Sequence, residues 1–142
     1  MMRRFFFLLI ACAMTTFWID TARAQSSDEA EWLPQPIALL AGLDKVTARI
    51  STIIAPIGQE VRFGALQIRV DTCQKRPPTL PPENAAFLVI DDIRPDEPPK
   101  RVFNGWMFAS SPALHALEHP VYDISVLECK SAETQGQSST SG

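Results

Sequence analysis

The run His115-Ala116-Leu117-Glu118-His119 has the spacing with the clearest chemical meaning in this chain. It matches H-x-x-E-H, a zinc-hydrolase pattern in which two histidines share one helix face and a glutamate acts as base. Such a site needs a long helix and a third ligand, but Ser111 and Pro120 limit a helix here to about two turns, and the chain has only 2 histidines. The run therefore favours a structural turn in which Leu114 and Leu117 dock on a sheet and Glu118 and His119 hydrogen-bond locally. Zinc held by His115, Glu118 and His119 is the alternative.

Other reactive side chains form weaker patterns. Ser110 and Ser111 lack the G-x-S-x-G elbow of serine hydrolases, and no Ser-His-Asp arrangement can be assigned. A group of acidic residues could hold a hard cation but lacks EF-hand spacing, which favours a solvated hairpin. This group consists of Asp91, Asp92, Asp96 and Glu97. The sequence therefore assigns no catalytic residue, calls for no cofactor and favours a protein without enzymatic activity.

The N-terminus has the features of an export signal. Arg3 and Arg4 precede an apolar run over residues 5–19, and Ala22-Arg23-Ala24 supplies the small residues that signal peptidase accepts. The apolar run is short for a membrane-spanning helix, which needs about 20 residues. We predict cleavage after Ala24, a periplasmic location and no transmembrane segment in the mature chain. A lipoprotein acylated at Cys12 and an uncleaved membrane anchor are the alternatives.

Cleavage would leave two cysteines, Cys73 and Cys129. An even pair in an exported chain indicates a disulfide, and the lack of a Cys-x-x-Cys sequence disfavours a redox or metal-ligating pair. Each cysteine shares the parity of the more polar residues of its strand, so we expect both on the less apolar faces. Because a disulfide needs Cα atoms about 4.4–6.8 Å apart, the two strands should be neighbours or converge at their ends.

The charge balance excludes two classes of partner. The chain carries 16 acidic and 13 basic residues, and removal of the leader shifts its net charge from −3 to about −5. Nucleic-acid binding and polybasic membrane binding both depend on clustered lysine and arginine. We therefore expect no nucleic-acid partner.

The periodicity of the sequence predicts an all-β domain. Polar and apolar residues alternate over 46–51, 61–63, 66–71 and 122–127, whereas 87–90 is apolar on both faces, as in a covered central strand. A further strand should follow the turn at 91–99. We also predict a short helix over Ile37–Leu43 and a helical turn after Ser111. The expected fold is a small β-sandwich or partly open barrel of about six strands with one or two short helical turns.

The domain boundaries follow from composition. We expect a signal peptide over 1–24, a flexible linker over 25–36, one β-rich domain over 37–130 and a disordered tail over 131–142. In the linker, Trp32 and Leu33 are the possible docking groups.

Two segments are candidates for contact with a partner. Residues 77–82 (PPTLPP) should adopt a stiff polyproline conformation, in which Pro77 and Pro78 either dock a partner or help to cover a sheet edge. Trp106, Met107 and Phe108 form either part of the core or an exposed binding patch. The core is favoured, because a small domain needs its large aromatic side chains inside.

Six sequence blocks resemble those of a small alphaproteobacterial family known only as domain of unknown function 2155. The blocks are GLDKVT (42–47), VRFG (61–64), Cys73 with RPP (76–78), PENAAF (82–87), GWMFASSP (105–112) and LEHPVYD (117–123). The resemblance implies an exported protein with both cysteines in the family's pattern. It implies no activity and no catalytic residue.

These observations favour a non-enzymatic periplasmic β-domain that binds an envelope or periplasmic protein. The H-x-x-E-H run makes a zinc-dependent hydrolase the alternative. A small-ligand binder with a pocket beside Trp106 is a second alternative.

Overall fold

The computed structural model describes residues 31–132. These residues form eight β-strands and no α-helix. The predicted signal peptide, and the predicted tail from residue 133 onward, lie outside these residues. The strands are β1 (Leu33–Pro34), β2 (Ile37–Asp44), β3 (Arg49–Pro56), β4 (Glu60–Phe63), β5 (Leu66–Lys75), β6 (Asn84–Asp92), β7 (Lys100–Phe108) and β8 (Tyr122–Lys130). Strand β1 lies in the segment that we expected to be a linker. No helix within residues 31–132 could span a membrane.

The strands form two antiparallel sheets. The larger sheet has the order β1-β5-β6-β7, with β4 also paired to β5, and the smaller sheet has the order β3-β2-β8. One apolar cluster draws on both sheets and includes Leu40 of β2, Ile68 of β5, Leu88 of β6 and Val126 of β8. The predicted all-β, sandwich-like class is confirmed, with eight strands where we expected about six.

The predicted helix over Ile37–Leu43 is wrong, because this segment is the central strand β2. It pairs with β3 on one side and β8 on the other. Leu40 is fully buried in the core, whereas Leu39 is half-buried on the opposite face. A strand that is apolar on both faces has no period-two signal, so its sequence resembles a buried helix. Gly42 is needed for packing, since a Cβ there would lie 2.8 Å from Ile53 Cδ1.

Two further local predictions need correction. The strand predicted from residue 46 begins only at Arg49, because the Asp44 carboxylate accepts hydrogen bonds from the backbone N–H groups of Val46 and Thr47 and turns the chain. The helical turn predicted after Ser111 is a non-helical turn over residues 112–115. Leu117 is buried there as expected, but Leu114 is 73% exposed.

The disulfide joins the two sheets. Cys73 of β5 and Cys129 of β8 are bonded with their Cα atoms 5.5 Å apart, so the two strands converge at their ends without pairing. Our prediction that the cysteines lie on the less apolar faces is wrong, since both are buried in the core. The reason is a bulge two residues before each cysteine, at Asp71 and Leu127, where the register shifts by one residue. One extra residue moves every following side chain to the other face.

Candidate functional site

The outer face of the larger sheet carries a row of aromatic side chains. Across the sheet, Phe87 of β6 lies opposite Trp106 of β7, and Ala85 lies opposite Phe108. Their sequence neighbours Ala86, Leu88 and Met107 belong to the core. Because side chains alternate along a strand, Phe87, Trp106 and Phe108 point away from the core.

Two of these aromatic residues, Trp106 and Phe108, line an open cleft. The cleft encloses about 240 Å³ and is lined by Trp32, Gln74, Ala85, Trp106 and Phe108, and we call it the aromatic cleft. Trp106 is 37% exposed and meets the Phe87 ring edge to face, with ring centroids 5.6 Å apart. The chain segment before β1 supplies Trp32. The guanidinium of Arg76 lies 5.2 Å from the centre of the Trp32 ring, in cation–π contact.

The cleft contains part of the predicted binding patch. Trp106 and Phe108 line it, but Met107 is buried on the opposite face of the same strand. Our preference for all three residues in the core therefore holds only for Met107. Pro77 and Pro78 lie in the loop that joins β5 to β6 and do not line the cleft.

Of the remaining lining residues, the sequence singled out Trp32 as a possible docking group but did not reveal Gln74 and Ala85. Gln74 and Ala85 carry no local signal, because their position on the outer face follows from strand pairing and from the bulge at Asp71.

A carboxylate ties together the two loops beside the cleft. Glu83, which precedes β6, accepts hydrogen bonds from the Ser110 hydroxyl and from the backbone N–H groups of Ser110 and Asn84. Burial by itself would raise the pKa of Glu83, but these hydrogen bonds and the charge of Arg76 hold the pKa below its ordinary value. The carboxylate is therefore ionised at neutral pH and fixes the chain next to Ala85 and Phe108.

His115 supports the cleft from the edge of β7. Its Nδ1–H donates to the backbone carbonyl of Trp106 at 2.9 Å, and its ring packs against Phe103 with centroids 4.7 Å apart. A Cβ on Gly105 would lie 2.5 Å from Cε1 of His115, so only glycine leaves room for the imidazole. The first histidine of the H-x-x-E-H run thus covers the edge of β7 at the level of Trp106.

His119 is buried in a polar cluster at the start of β8. Its Nδ1 accepts hydrogen bonds from the backbone N–H groups of Val121 and Tyr122, both at 3.1 Å. The proton must therefore lie on Nε2, which donates to Asp92 Oδ2 at 3.3 Å. Arg94 Nε donates to the same oxygen at 2.9 Å. The second histidine thus links the start of β8 to the end of β6.

The Asp92 carboxylate is ionised in spite of its burial. Burial by itself would raise its pKa, but hydrogen bonds from His119 and Arg94, together with the charge of Arg94, lower the pKa below its ordinary value. Asp91 is likewise paired, through two hydrogen bonds from Arg101. Two members of the predicted acidic group therefore belong to ion pairs, Asp91 with Arg101 between β6 and β7 and Asp92 with Arg94 at the end of β6.

The structure does not bring His115, Glu118 and His119 together. The two imidazoles contact different strands, and Glu118 is exposed. The run forms no helix, so it has no common face on which the histidines could meet. Within residues 31–132, no group of three or more His, Cys, Asp or Glu side chains has an arrangement that could hold a metal ion.

Comparisons with known proteins identify relatives without a described activity. The model of the family DUF2155, described as "Uncharacterized protein conserved in bacteria", matches residues 38–129. The uncharacterized protein RP359 of Rickettsia prowazekii (strain Madrid E) is 33% identical over 90 residues, which are 63% of this chain and 58% of that protein. This chain thus spans little more than half the length of that relative. No solved structure matches.

Proposed function

We propose that this chain, which belongs to the bacterial protein family DUF2155, is a non-enzymatic binding domain of the cell envelope. We propose further that its aromatic cleft binds an extended, proline-containing segment of an envelope protein. The observation that carries the proposal is the exposure of Trp106 beside Trp32 and Phe108 in an open cleft. Exposed clusters of large aromatic side chains are typical of protein interaction sites.

The size and shape of the cleft favour a peptide over a small molecule. Sites for small ligands usually enclose about 300–1,000 Å³ and bury most of the ligand. The aromatic cleft is smaller, at about 240 Å³, and it is open. It suits one or two side chains of a peptide that continues across the sheet.

The strand edges next to the cleft favour a polyproline segment over an added β-strand. At Gln74 the edge of β5 is already paired with Pro34 of β1. On the other side, the Trp106 carbonyl at the edge of β7 already accepts a hydrogen bond from His115. A ligand at this level must therefore contact the face of the sheet. Polyproline segments bind in this way, with their rings packed on aromatic side chains and their carbonyls free for donors such as the Gln74 amide.

The contacts of four titratable side chains support a non-enzymatic role. Glu83, Asp92, His115 and His119 each hold two parts of the chain together through hydrogen bonds. None of them lines the aromatic cleft. Because these four side chains serve the fold, the proposal assigns them no role in proton transfer.

The proposal is tested by titrating the full chain with a fluorescein-labelled Ala-Pro-Pro-Leu-Pro-Pro-Ala peptide and measuring fluorescence anisotropy. We expect saturable binding that Trp106→Ala weakens by about tenfold or more, since a central aromatic contact contributes about 2 kcal/mol. Leu114→Ala is the matched control, because Leu114 is more exposed than Trp106 and lies outside the cleft. Equal affinity for wild type and Trp106→Ala, or no binding by the wild type, would refute a proline-peptide site.

The proposed location has its own test. Intact mass of protein from the native envelope fraction, under reducing and non-reducing conditions, reports cleavage, acylation and thiol state together. Cleavage after Ala24 with the Cys73–Cys129 bond intact is expected. A chain that keeps its first 24 residues, or one acylated at Cys12, would contradict the proposed cleavage after Ala24.

A further inference from the structure

Strand β3 of the smaller sheet has one free edge among the residues that the structure describes. It pairs with β2 on one side, and no described strand pairs with its other side. Its first four residues, Arg49 to Thr52, are all exposed. The strand is eight residues long and pairs with β2 without a bulge.

This edge lacks the features that usually prevent sheets from pairing with one another. Natural edge strands are protected by charged residues, proline, bulges or short length. Between Arg49 at its start and Pro56 at its end, β3 carries no charged residue and no proline. Ile50 is 74% exposed and Ile54 is 51% exposed. The strand is therefore well suited to receive a further strand.

The outward-facing residues of β3 have the same order in both chain directions. Ile50, Thr52 and Ile54 alternate along the face that points away from the core, whereas Ile53 and Ala55 are buried in it. The order Ile-Thr-Ile is symmetric about Thr52. In an antiparallel pair of identical strands, a two-fold axis at Thr52 would place Ile50 of each copy opposite Ile54 of the other copy.

We propose that β3 pairs antiparallel with β3 of a second copy of this chain, about a two-fold axis at Thr52. The pair would join two three-stranded sheets into one six-stranded sheet, with one Ile50–Ile54 contact on each side of a Thr52–Thr52 contact. Cross-strand pairs of β-branched residues stabilise antiparallel sheets. Arg49 would lie opposite Ala55, so the two paired β3 strands would place no like charges opposite each other.

Neighbouring registers are less favourable. An alternative register must keep the core-facing residues of both copies on the same side of the joined sheet. This holds only when the two-fold axis moves along β3 by a whole number of residues. An axis at Ser51 would place Ile50 opposite Thr52, and an axis at Ile53 would place Ile50 opposite Pro56, which has no N–H group to donate. Only the axis at Thr52 places both isoleucines opposite each other.

The pairing would leave the aromatic clefts free. The clefts lie on the larger sheet, and β3 belongs to the smaller one. A dimer would therefore present two clefts, and a partner with two proline-containing segments would bind it more tightly than it binds a single copy. The dimer itself does not depend on the function proposed for the cleft.

Cysteine cross-linking tests the register directly. In a Cys12→Ser background, Thr52→Cys would face itself across the axis at a Cα distance within the range for a disulfide, about 4.4–6.8 Å. Ile50→Cys is the matched control on the same strand, because its symmetry mate would lie four residues away, about 13 Å along the strand. We expect mild oxidation to link Thr52→Cys into dimers and to leave Ile50→Cys monomeric. Cross-linking of the two variants at equal rates would overturn the proposed register.

Solution mass tests the dimer without any new cysteine. By sedimentation velocity on the full chain, we expect a dimer for the wild type, a monomer for Ile54→Lys and a dimer for the control Leu114→Lys. A monomeric wild type at all concentrations would overturn the proposal, as would a dimer that Ile54→Lys leaves intact. Peptide binding by Ile54→Lys should equal that of the wild type, so failure of the dimer and failure of the cleft are distinguishable.

Discussion

The polar cluster around His119 and the aromatic cleft around Trp106 use opposite kinds of residue for opposite purposes. His119 and Asp92 are reactive side chains, but both are buried and hydrogen-bonded to each other. Trp106 is an apolar side chain that the sheet leaves 37% exposed. A small domain gains stability when it buries a large aromatic residue. The comparison teaches that an exposed apolar side chain is a better guide to a binding site in this fold than the H-x-x-E-H spacing of titratable residues.

The largest expected effect concerns the disulfide that joins the two sheets. Replacing both Cys73 and Cys129 by alanine should lower the free energy of unfolding by about 4 kcal/mol, because the bond closes a loop of 56 residues. Urea unfolding monitored by circular dichroism measures the loss. Since Gln74 follows Cys73 directly, the aromatic cleft should also bind its peptide more weakly in this variant. Unchanged stability would show that the two sheets hold together without the bond.

A smaller but still large effect is expected at His119. His119→Ala would leave the buried Asp92 carboxylate with only Arg94, and it would free two backbone N–H groups. We expect the free energy of unfolding to fall by about 3 kcal/mol. Peptide binding at a temperature where the variant is folded should be unchanged. A loss of binding with little loss of stability would assign His119 to the functional site and reverse the comparison.

Two carboxylates, Asp92 beside His119 and Glu83 beside the aromatic cleft, predict a dependence of stability on pH. Because the folded state lowers the pKa of Asp92 and of Glu83, their contribution is present above the pKa values of the unfolded chain, about 4. It is lost as the pH falls through the lower folded-state values. The free energy of unfolding should therefore fall below about pH 4. Asp92→Asn should flatten this dependence in urea unfolding measured from pH 3 to pH 7, and an equal slope in wild type and variant would exclude Asp92 as a cause.

The smallest effect on stability is expected at Trp106, where the effect on binding is largest. Trp106→Ala removes a partly exposed side chain whose main aromatic neighbour is Phe87. We expect a loss of about 1 kcal/mol in the free energy of unfolding. Thermal unfolding of this variant beside Phe103→Ala, which removes a buried ring of the same strand, sharpens the contrast. A loss at Trp106 as large as that at Phe103 would mean that the exposed tryptophan serves the fold.

Strands with one solvent-exposed face could be predicted from the sequence. The alternation around Ile68 and around Ile124 correctly places the start of β5 and of β8, and the doubly apolar run at Leu88 correctly marks β6 as a central strand. The same reasoning failed for β2. Its apolar run contains Gly42 and alanines, which do not favour strands, so the run looked helical until its two neighbouring strands were known.

The candidate site could be predicted only in part, because strand pairing and bulges create it. Trp106 and Phe108 share a face by simple alternation. Gln74 joins them only because the bulge at Asp71 reverses the parity of the end of β5. Trp32 reaches the cleft because β1 pairs with the end of β5, a contact between residues far apart in the chain. Neither event leaves a periodic signal in the sequence.

The indole N–H resonances of the ¹⁵N-labelled full chain test the central claim most directly. During titration with the Ala-Pro-Pro-Leu-Pro-Pro-Ala peptide, the resonances of Trp32 and Trp106 should shift together along one saturation curve, while the backbone amides of β3 stay in place. Indole resonances that do not move while the β3 amides shift would contradict the account, because the ligand would then bind the smaller sheet.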